Sequence, residues 1–139
     1  MEKILCVDGD QSLLELYKEE LSEDGYEVIL AANGKEALIK YHMELPQLVI
    51  LEMRMPGMDG IEALSTILRK DRQASIIINT AFPQYRENFM TWGAEAYIIK
   101  SSDLGELKQK VREILNRRRA AKAASRADSG TLVYSVLAK

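Results

Sequence analysis

One cysteine, one histidine, one tryptophan and three prolines are all that this chain of 139 residues holds of those types. The single cysteine, Cys6, excludes an intrachain disulfide and a cysteine metal cluster, and it points to a reducing, cytoplasmic compartment. It lies inside an apolar run and reads as core packing. The single histidine, His42, leaves no zinc-ligand spacing and no nucleophile–base pair. It reads as a helix-end surface residue. No glycine-rich phosphate loop is present. No apolar run approaches membrane-spanning length, and the first residues carry no signal-peptide pattern. Aromatics make up only 6% and are sparse around the arginine triplet 117–119, which argues against a nucleic-acid surface.

What the chain does have is ordinary for a compact globular domain: 47% apolar and 29% charged residues, enough to bury a core without staples. The charge is uneven along the chain. Residues 108–139 hold nine Lys/Arg against Glu113 and Asp128, whereas the rest is acidic. A solvated helix end accounts for this more simply than a nucleic-acid site.

Apolar periodicity alternates between strand and helix. Strands are expected at 3–8, 26–30, 47–52, 74–80 and 96–100, with helices at 12–24, 34–45, 60–70, 83–93 and 102–124. Gly25, Pro46 and Gly93 stop the first, second and fourth helices. The strands are continuous apolar runs, as expected when both sheet faces are covered. The fold class that follows is α/β, a doubly wound, five-stranded parallel sheet with helices on both faces. Ligands of such sheets bind beyond the carboxyl ends of the strands.

The residues at those ends therefore carry the functional reading. Strand one runs into Asp8-Gly9-Asp10, strand three into Glu52, strand four into Thr80 and strand five into Lys100. Each alone has a structural explanation, as a helix cap or a snorkelling lysine. Their convergence on one edge points to a site. Met53, Met55 and Met58 flank the loop after Glu52 and read as its packing, and Trp92 reads as packing of the fourth helix.

The segments "ILCVDGD", "LVILEMRMPGMDG", "NTA" and "AYIIKS" occur in an order and at separations that resemble the receiver domain of bacterial two-component response regulators, over residues 3 to about 116. The resemblance implies a flavodoxin-like sheet of strand order 2-1-3-4-5. It implies that Glu52 stands at the phosphoacceptor position, which in the family is an aspartate. It gives Asp8 and Asp10 to an acidic pocket, with Gly9 where the family has a second acid. It gives Thr80, Tyr97 and Lys100 to switching and pairing. The family usually follows the lysine with a cis proline; here Ser101 follows, and a cis bond without proline costs about 3 kcal/mol. Residues 1–120 then form the receiver domain. Residues 121–139 form a tail, either a helix extension or linker, with a short strand at 131–137 as an alternative.

A glutamate at that position changes the chemistry expected. Its extra methylene would push the carboxylate outward by roughly one carbon–carbon bond. A displacement near 1 Å can cost about 100-fold in a positioned reaction. Gly9 removes a carboxylate from any Mg²⁺ shell, so no cofactor is assigned. Mg²⁺ binding is expected to be weak, with Asp8 and Glu52 as residual ligands. The function expected is a phosphorylation-independent or constitutively switched signalling module, not an enzyme. The alternatives are a silent scaffold and a basic-tail module for nucleic acid or protein. Partners expected are a histidine kinase or a downstream effector, docked through the fourth helix, fifth strand and fifth helix. A homodimer is a further option; nucleic acid and membrane are not expected partners.

Overall fold

The computed structural model describes the backbone of residues 1–138 and the side chains of residues 1–127. Five parallel strands form one sheet in the order β2-β1-β3-β4-β5. They are β1 (Lys3–Val7), β2 (Glu27–Ala31), β3 (Leu48–Leu51), β4 (Ile76–Thr80) and β5 (Ala96–Ile99). Four α-helices connect or follow them: α1 (Gln11–Glu23), α2 (Gly34–Glu44), α3 (Gly60–Lys70) and α4 (Gly105–Ala138).

Strand alternation divides the core into two layers. Ile4, Cys6, Ile50, Ile77 and Ile98 point to one face, where Leu14, Tyr17 and Leu21 of α1 and Leu107, Val111, Ile114 and Leu115 of α4 cover them. Leu5, Val7, Val49, Leu51, Ile76 and Ile78 point to the other, against Ala37 of α2 and Ala63, Leu64 and Ile67 of α3. Every residue of β3 and β4 is buried, which is why those strands carry no polar alternation. The sheet, its order and its flanking helices agree with the sequence reading.

Two segments differ from it. The helix expected over 83–93 is a pair of 3₁₀ segments, Pro83–Glu87 and Phe89–Gly93. The Asn88 side chain accepts from the Met90 N–H at 2.9 Å and starts a second turn where an α-helix would have continued. Only Thr91 of these turns is buried, so little packing opposes the break. The last helix starts at Gly105, not 102, because the Asp103 carboxylate accepts from the Gly105 N–H at 2.8 Å. It then runs to Ala138, so the backbone at 131–137 is helical where a short strand had been the alternative. A strand needs a neighbour for its hydrogen bonds, whereas a helix satisfies its own.

One backbone conformation stands out. Leu45, the C-cap of α2, has φ 48° and ψ 59°. A non-glycine residue held there costs about 1–2 kcal/mol. It turns the chain out of α2 so that the buried Pro46 can lead into β3.

Candidate functional site

Register places the strand ends level with one another: Val7 lies opposite Leu51, and Thr80 opposite Ile99. The next residues, Asp8, Glu52 and Lys100, are therefore held by ladder hydrogen bonds that run just past the strands. The Asp8 N–H donates to the Ala31 carbonyl at 3.1 Å, the Glu52 N–H to Val7 at 3.0 Å and the Lys100 N–H to Thr80 at 2.8 Å.

Their side chains converge. The Lys100 ammonium lies 2.6 Å from Asp8 Oδ2 and 3.1 Å from Glu52 Oε1. Asp8 is 4% exposed and Glu52 5%, so two carboxylates share one ammonium out of water. Burial alone would lower the lysine pKa. The hydrogen bond and charge of Asp8, with the charge of Glu52, outweigh it, and Lys100 stands above the ordinary lysine value. The remaining oxygens are also engaged. Asp8 Oδ1 accepts from the Asp10 N–H at 2.9 Å, and Glu52 Oε2 accepts from the Met53 N–H at 2.7 Å.

The carboxylate of Glu52 therefore reaches two ways, to Lys100 through Oε1 and to the backbone of its own loop through Oε2. Space is tight around that loop. A Cβ on Gly60 would lie 2.5 Å from the Glu52 carbonyl oxygen and 2.5 Å from Met53 Cα, so only glycine lets α3 start against the end of β3. A Cβ on Gly9 would meet Pro56 Cδ at 3.3 Å.

The other expected site residues fall in two places. Asp10 is not part of the acidic cluster. Its carboxylate caps α1, accepting from the Ser12 N–H at 2.9 Å and the Leu13 N–H at 3.3 Å. Thr80 is fully buried at the edge of the site, but its hydroxyl accepts from the Phe82 N–H at 3.3 Å. Tyr97 is half-buried, and its hydroxyl donates to the Phe82 carbonyl. Burial raises its pKa. Among the described residues no cis peptide occurs, so Lys100–Ser101 is trans.

A divalent cation such as Mg²⁺ wants near-octahedral oxygen ligands. The residues present do not fit one. Two carboxylates converge, all four of their oxygens already have partners, and Gly9 offers no side chain. Among the described residues no group of three or more His, Cys, Asp or Glu is placed to hold a metal.

Sequence reasoning missed a second layer around Tyr97. The Arg54 guanidinium stacks 4.1 Å from the centre of the Phe82 ring, and its Nε donates to the Tyr85 hydroxyl at 3.1 Å. Arg86 lies 4.9 Å over the Tyr97 ring. The signal available was the run "FPQYR" at 82–86, but nothing in one sequence pairs it with Arg54. The arginine triplet is likewise drawn into the body. Arg117 pairs with Glu95 at 3.2 Å, Arg119 pairs with Glu2 at 3.2 Å, and Arg118 hydrogen-bonds the Gln73 carbonyl and the Ser75 hydroxyl.

Comparison with known proteins gives consistent matches. The family model for the response regulator receiver domain matches residues 4–112. A probable transcriptional regulator, ycf27, of Guillardia theta is 34% identical over 139 residues, covering 98% of this chain and 54% of that protein. Sporulation initiation phosphotransferase F of Bacillus subtilis is 36% identical over 116 residues, covering 82% of this chain and 94% of the relative. The chain thus spans about half the length of the ycf27 relatives it matches. Among solved structures, the response regulator TrrA of Thermotoga maritima in complex with Mg²⁺ and BeF is 44% identical with a TM-score of 0.79, covering 82% of this chain and 99% of that one. The same regulator has been solved in complex with the histidine kinase ThkA.

Proposed function

The chain belongs to the response regulator receiver domain family, and from that premise we propose that it is a signalling switch whose state is set without phosphorylation. Glu52 occupies the phosphoacceptor position in this reading, and residues 1–120 form the receiver unit, with 121–139 continuing its last helix. The observation that carries the reading is the closed ion cluster: Lys100 is already bridged between Asp8 and Glu52 in a buried pocket. Phosphoryl transfer depends on positioning and charge neutralisation. Here the acceptor carboxylate is folded onto the Met53 N–H, and the donor set does not suit Mg²⁺.

What the glutamate supplies instead is a permanent negative charge beside Lys100. It gives about −1, against roughly −2 and more acceptor oxygens for a phosphoryl group. Tyr97, hydrogen-bonded inward to the Phe82 carbonyl, is in keeping with a switched arrangement. The competing reading is a silent scaffold, and the Thr80 hydroxyl favours it by bonding to Phe82 and not to Glu52. A basic-tail nucleic-acid module is disfavoured, because Arg117 and Arg119 are already paired with acids.

The partner in this reading is a protein, a histidine kinase or a downstream effector, met in the cytoplasm. The docking face comprises the 3₁₀ segments, β5 and α4, and a homodimer through that face is a second arrangement. Phe89 and Trp92, 69% and 74% exposed, give it apolar surface.

Incubation with acetyl phosphate, followed by intact-mass measurement, tests the proposal. The mass should not change. A stable gain of one phosphoryl group that Glu52→Gln abolishes would overturn it. A paired Gly9→Asp and Glu52→Asp variant should regain phosphorylation, because metal binding and positioning are separate requirements.

A further inference from the structure

At the other end of the sheet, where the strands begin, two recesses adjoin. One is an open groove of about 900 Å³ lined by Tyr26, Gln47, Gln73 and, on α4, Arg118, Arg119 and Lys122. The other is a cavity of about 220 Å³ between α2 and α3, lined by Leu38, Tyr41, Leu45 and Ile67, with His42, Lys70 and Asp71 beside them. They meet where Leu45 leads to Gln47 and where Asp71 leads to Gln73.

The cations along this end are not equivalent. Arg119 is neutralised by Glu2. Arg118 is half-buried and donates through Nη1 to the Gln73 carbonyl at 3.0 Å and the Ser75 hydroxyl at 2.8 Å. Both acceptors are neutral, so this guanidinium is fixed in place with no carboxylate of the described residues in direct contact. Among the described residues Arg118, Lys70 and Lys122 form no ion pair. A planar guanidinium held in advance is suited to a carboxylate, because little ordering is left to lose on binding. Asp71, the acid in the smaller cavity, is occupied by the Tyr41 hydroxyl at 3.1 Å.

The apolar half is just as specific. Of the residues lining the smaller cavity, Leu45 is 69% exposed. Leu45 is held there in the left-handed conformation. That cavity is smaller than the roughly 300–1,000 Å³ of small-molecule pockets, and it has room for one large apolar side chain.

We propose that this end of the sheet docks an acidic, amphipathic segment of a protein partner. One large apolar side chain of that segment enters the α2–α3 cavity. Its carboxylates meet Arg118 in the groove and Lys70 and Lys122 at the rim. A nucleic acid fits less well, because the apolar cavity gives a phosphate backbone nothing to bind. Glu2 and Asp24, which also line the groove, are paired with Arg119 and Lys108. The surface lies at the opposite strand ends from Glu52 and does not rest on the reading of that site.

The test uses the whole chain, labelled with ¹⁵N, titrated with a synthetic helix-forming peptide of Glu, Leu and a single Phe. A counterpart carrying Lys at each Glu position is the control. The expected result is saturable shifts of the amides of Tyr41, Gln47 and Gln73 and of the Arg118 Nε signal, with none for the Lys peptide. Lys70→Glu combined with Lys122→Glu, both exposed positions with no packing role, should weaken binding on the order of tenfold or more. Arg118→Gln should do the same, with an unchanged fold checked by its amide spectrum. Absent shifts, shifts confined to another face, equal binding of the Lys peptide or indifference to the charge variants would each overturn the proposal. So would tighter binding of a DNA oligonucleotide at the same residues, which would assign the groove to nucleic acid.

Discussion

Replacing Lys100 by methionine should cost this protein much of its stability, and in a pH-dependent way. The lysine sits between two carboxylates that are 4% and 5% exposed. Its contacts of 2.6 Å and 3.1 Å bring those acids within about 6 Å of each other. Two unit charges at about 6 Å repel by roughly 3 kcal/mol at an effective dielectric constant near 20. Removing one member of a buried ion cluster typically costs about 3–5 kcal/mol, because a charge is left uncompensated. That is a large part of the roughly 5–15 kcal/mol by which a domain is stable. The pH dependence follows from sign. Lys100 of the native protein stands above the ordinary lysine value, so its stabilisation is complete below the unfolded lysine value and is lost as pH rises through the folded one. Urea unfolding of both proteins at neutral and strongly alkaline pH measures the gap. It should be several kcal/mol near neutrality and shrink as pH climbs through the lysine range. Adding Glu52→Gln to the variant should restore most of the loss by removing one charge. A neutral-pH loss under about 1 kcal/mol, or one that does not change with pH, would refute the shared-ammonium account.

Two further outcomes follow from the geometry. Gly60→Ala places a Cβ 2.5 Å from the Glu52 carbonyl oxygen and Met53 Cα, where backbone cannot yield cheaply, so it should destabilise by about 1–3 kcal/mol or more in thermal unfolding. At high pH, Tyr41 should oppose unfolding of the neutral form: burial, with the charge and hydrogen bond of Asp71, raises its pKa to about 12 from 10.0. A raised folded value means its contribution is complete below pH 10 and is lost as pH climbs toward 12, and Tyr41→Phe should flatten that decline in a denaturant series across alkaline pH.

The parts of this fold that sequence reveals are those governed by local periodicity and by burial on two sides. β3 and β4 are wholly buried, so their continuous apolar runs could be read directly as central strands. The bounds of α3 coincide with the apolar stripe of Ile61, Leu64, Ile67 and Leu68 between the Asp59 cap and its last basic residues. The strand-end residues Asp8, Glu52 and Lys100 follow from the same logic, because a parallel sheet brings its carboxyl ends together whatever the loops do. The 83–93 segment escaped it. Its apolar residues are mostly exposed, and one asparagine side chain decides between a helix and two turns. Asp10 was open to two readings, cap of the first helix or member of the acidic pocket: the two look alike in sequence, and only the direction of the side chain, toward the Ser12 and Leu13 N–H groups, separates them. The Arg54–Phe82 stack and the anchoring of Arg117–Arg119 join residues far apart in the chain, and no local rule pairs them.

The same geometry limits how strongly Glu52 can act as a stand-in for a phosphoryl group. Lys100 lies closer to Asp8 than to Glu52, and Asp8 would hold the ammonium at the edge of the sheet without the glutamate. The charge that Glu52 adds therefore biases a lysine that is already engaged. A two-state element shifts only by the difference in interaction energy between its states. Here that difference comes from one shared carboxylate, with no hydrogen bond from Thr80. Tyr97 is instead held from the other side, through the Phe82 carbonyl and the Arg54 guanidinium stacked on the Phe82 ring. The inward tyrosine and the acidic cluster are thus two partly independent locks. If the proposed phosphorylation-independent switch holds, weak coupling between them would leave the receiver between the extremes that a phosphoryl group would separate, and a Glu52→Gln variant should shift that balance only in part.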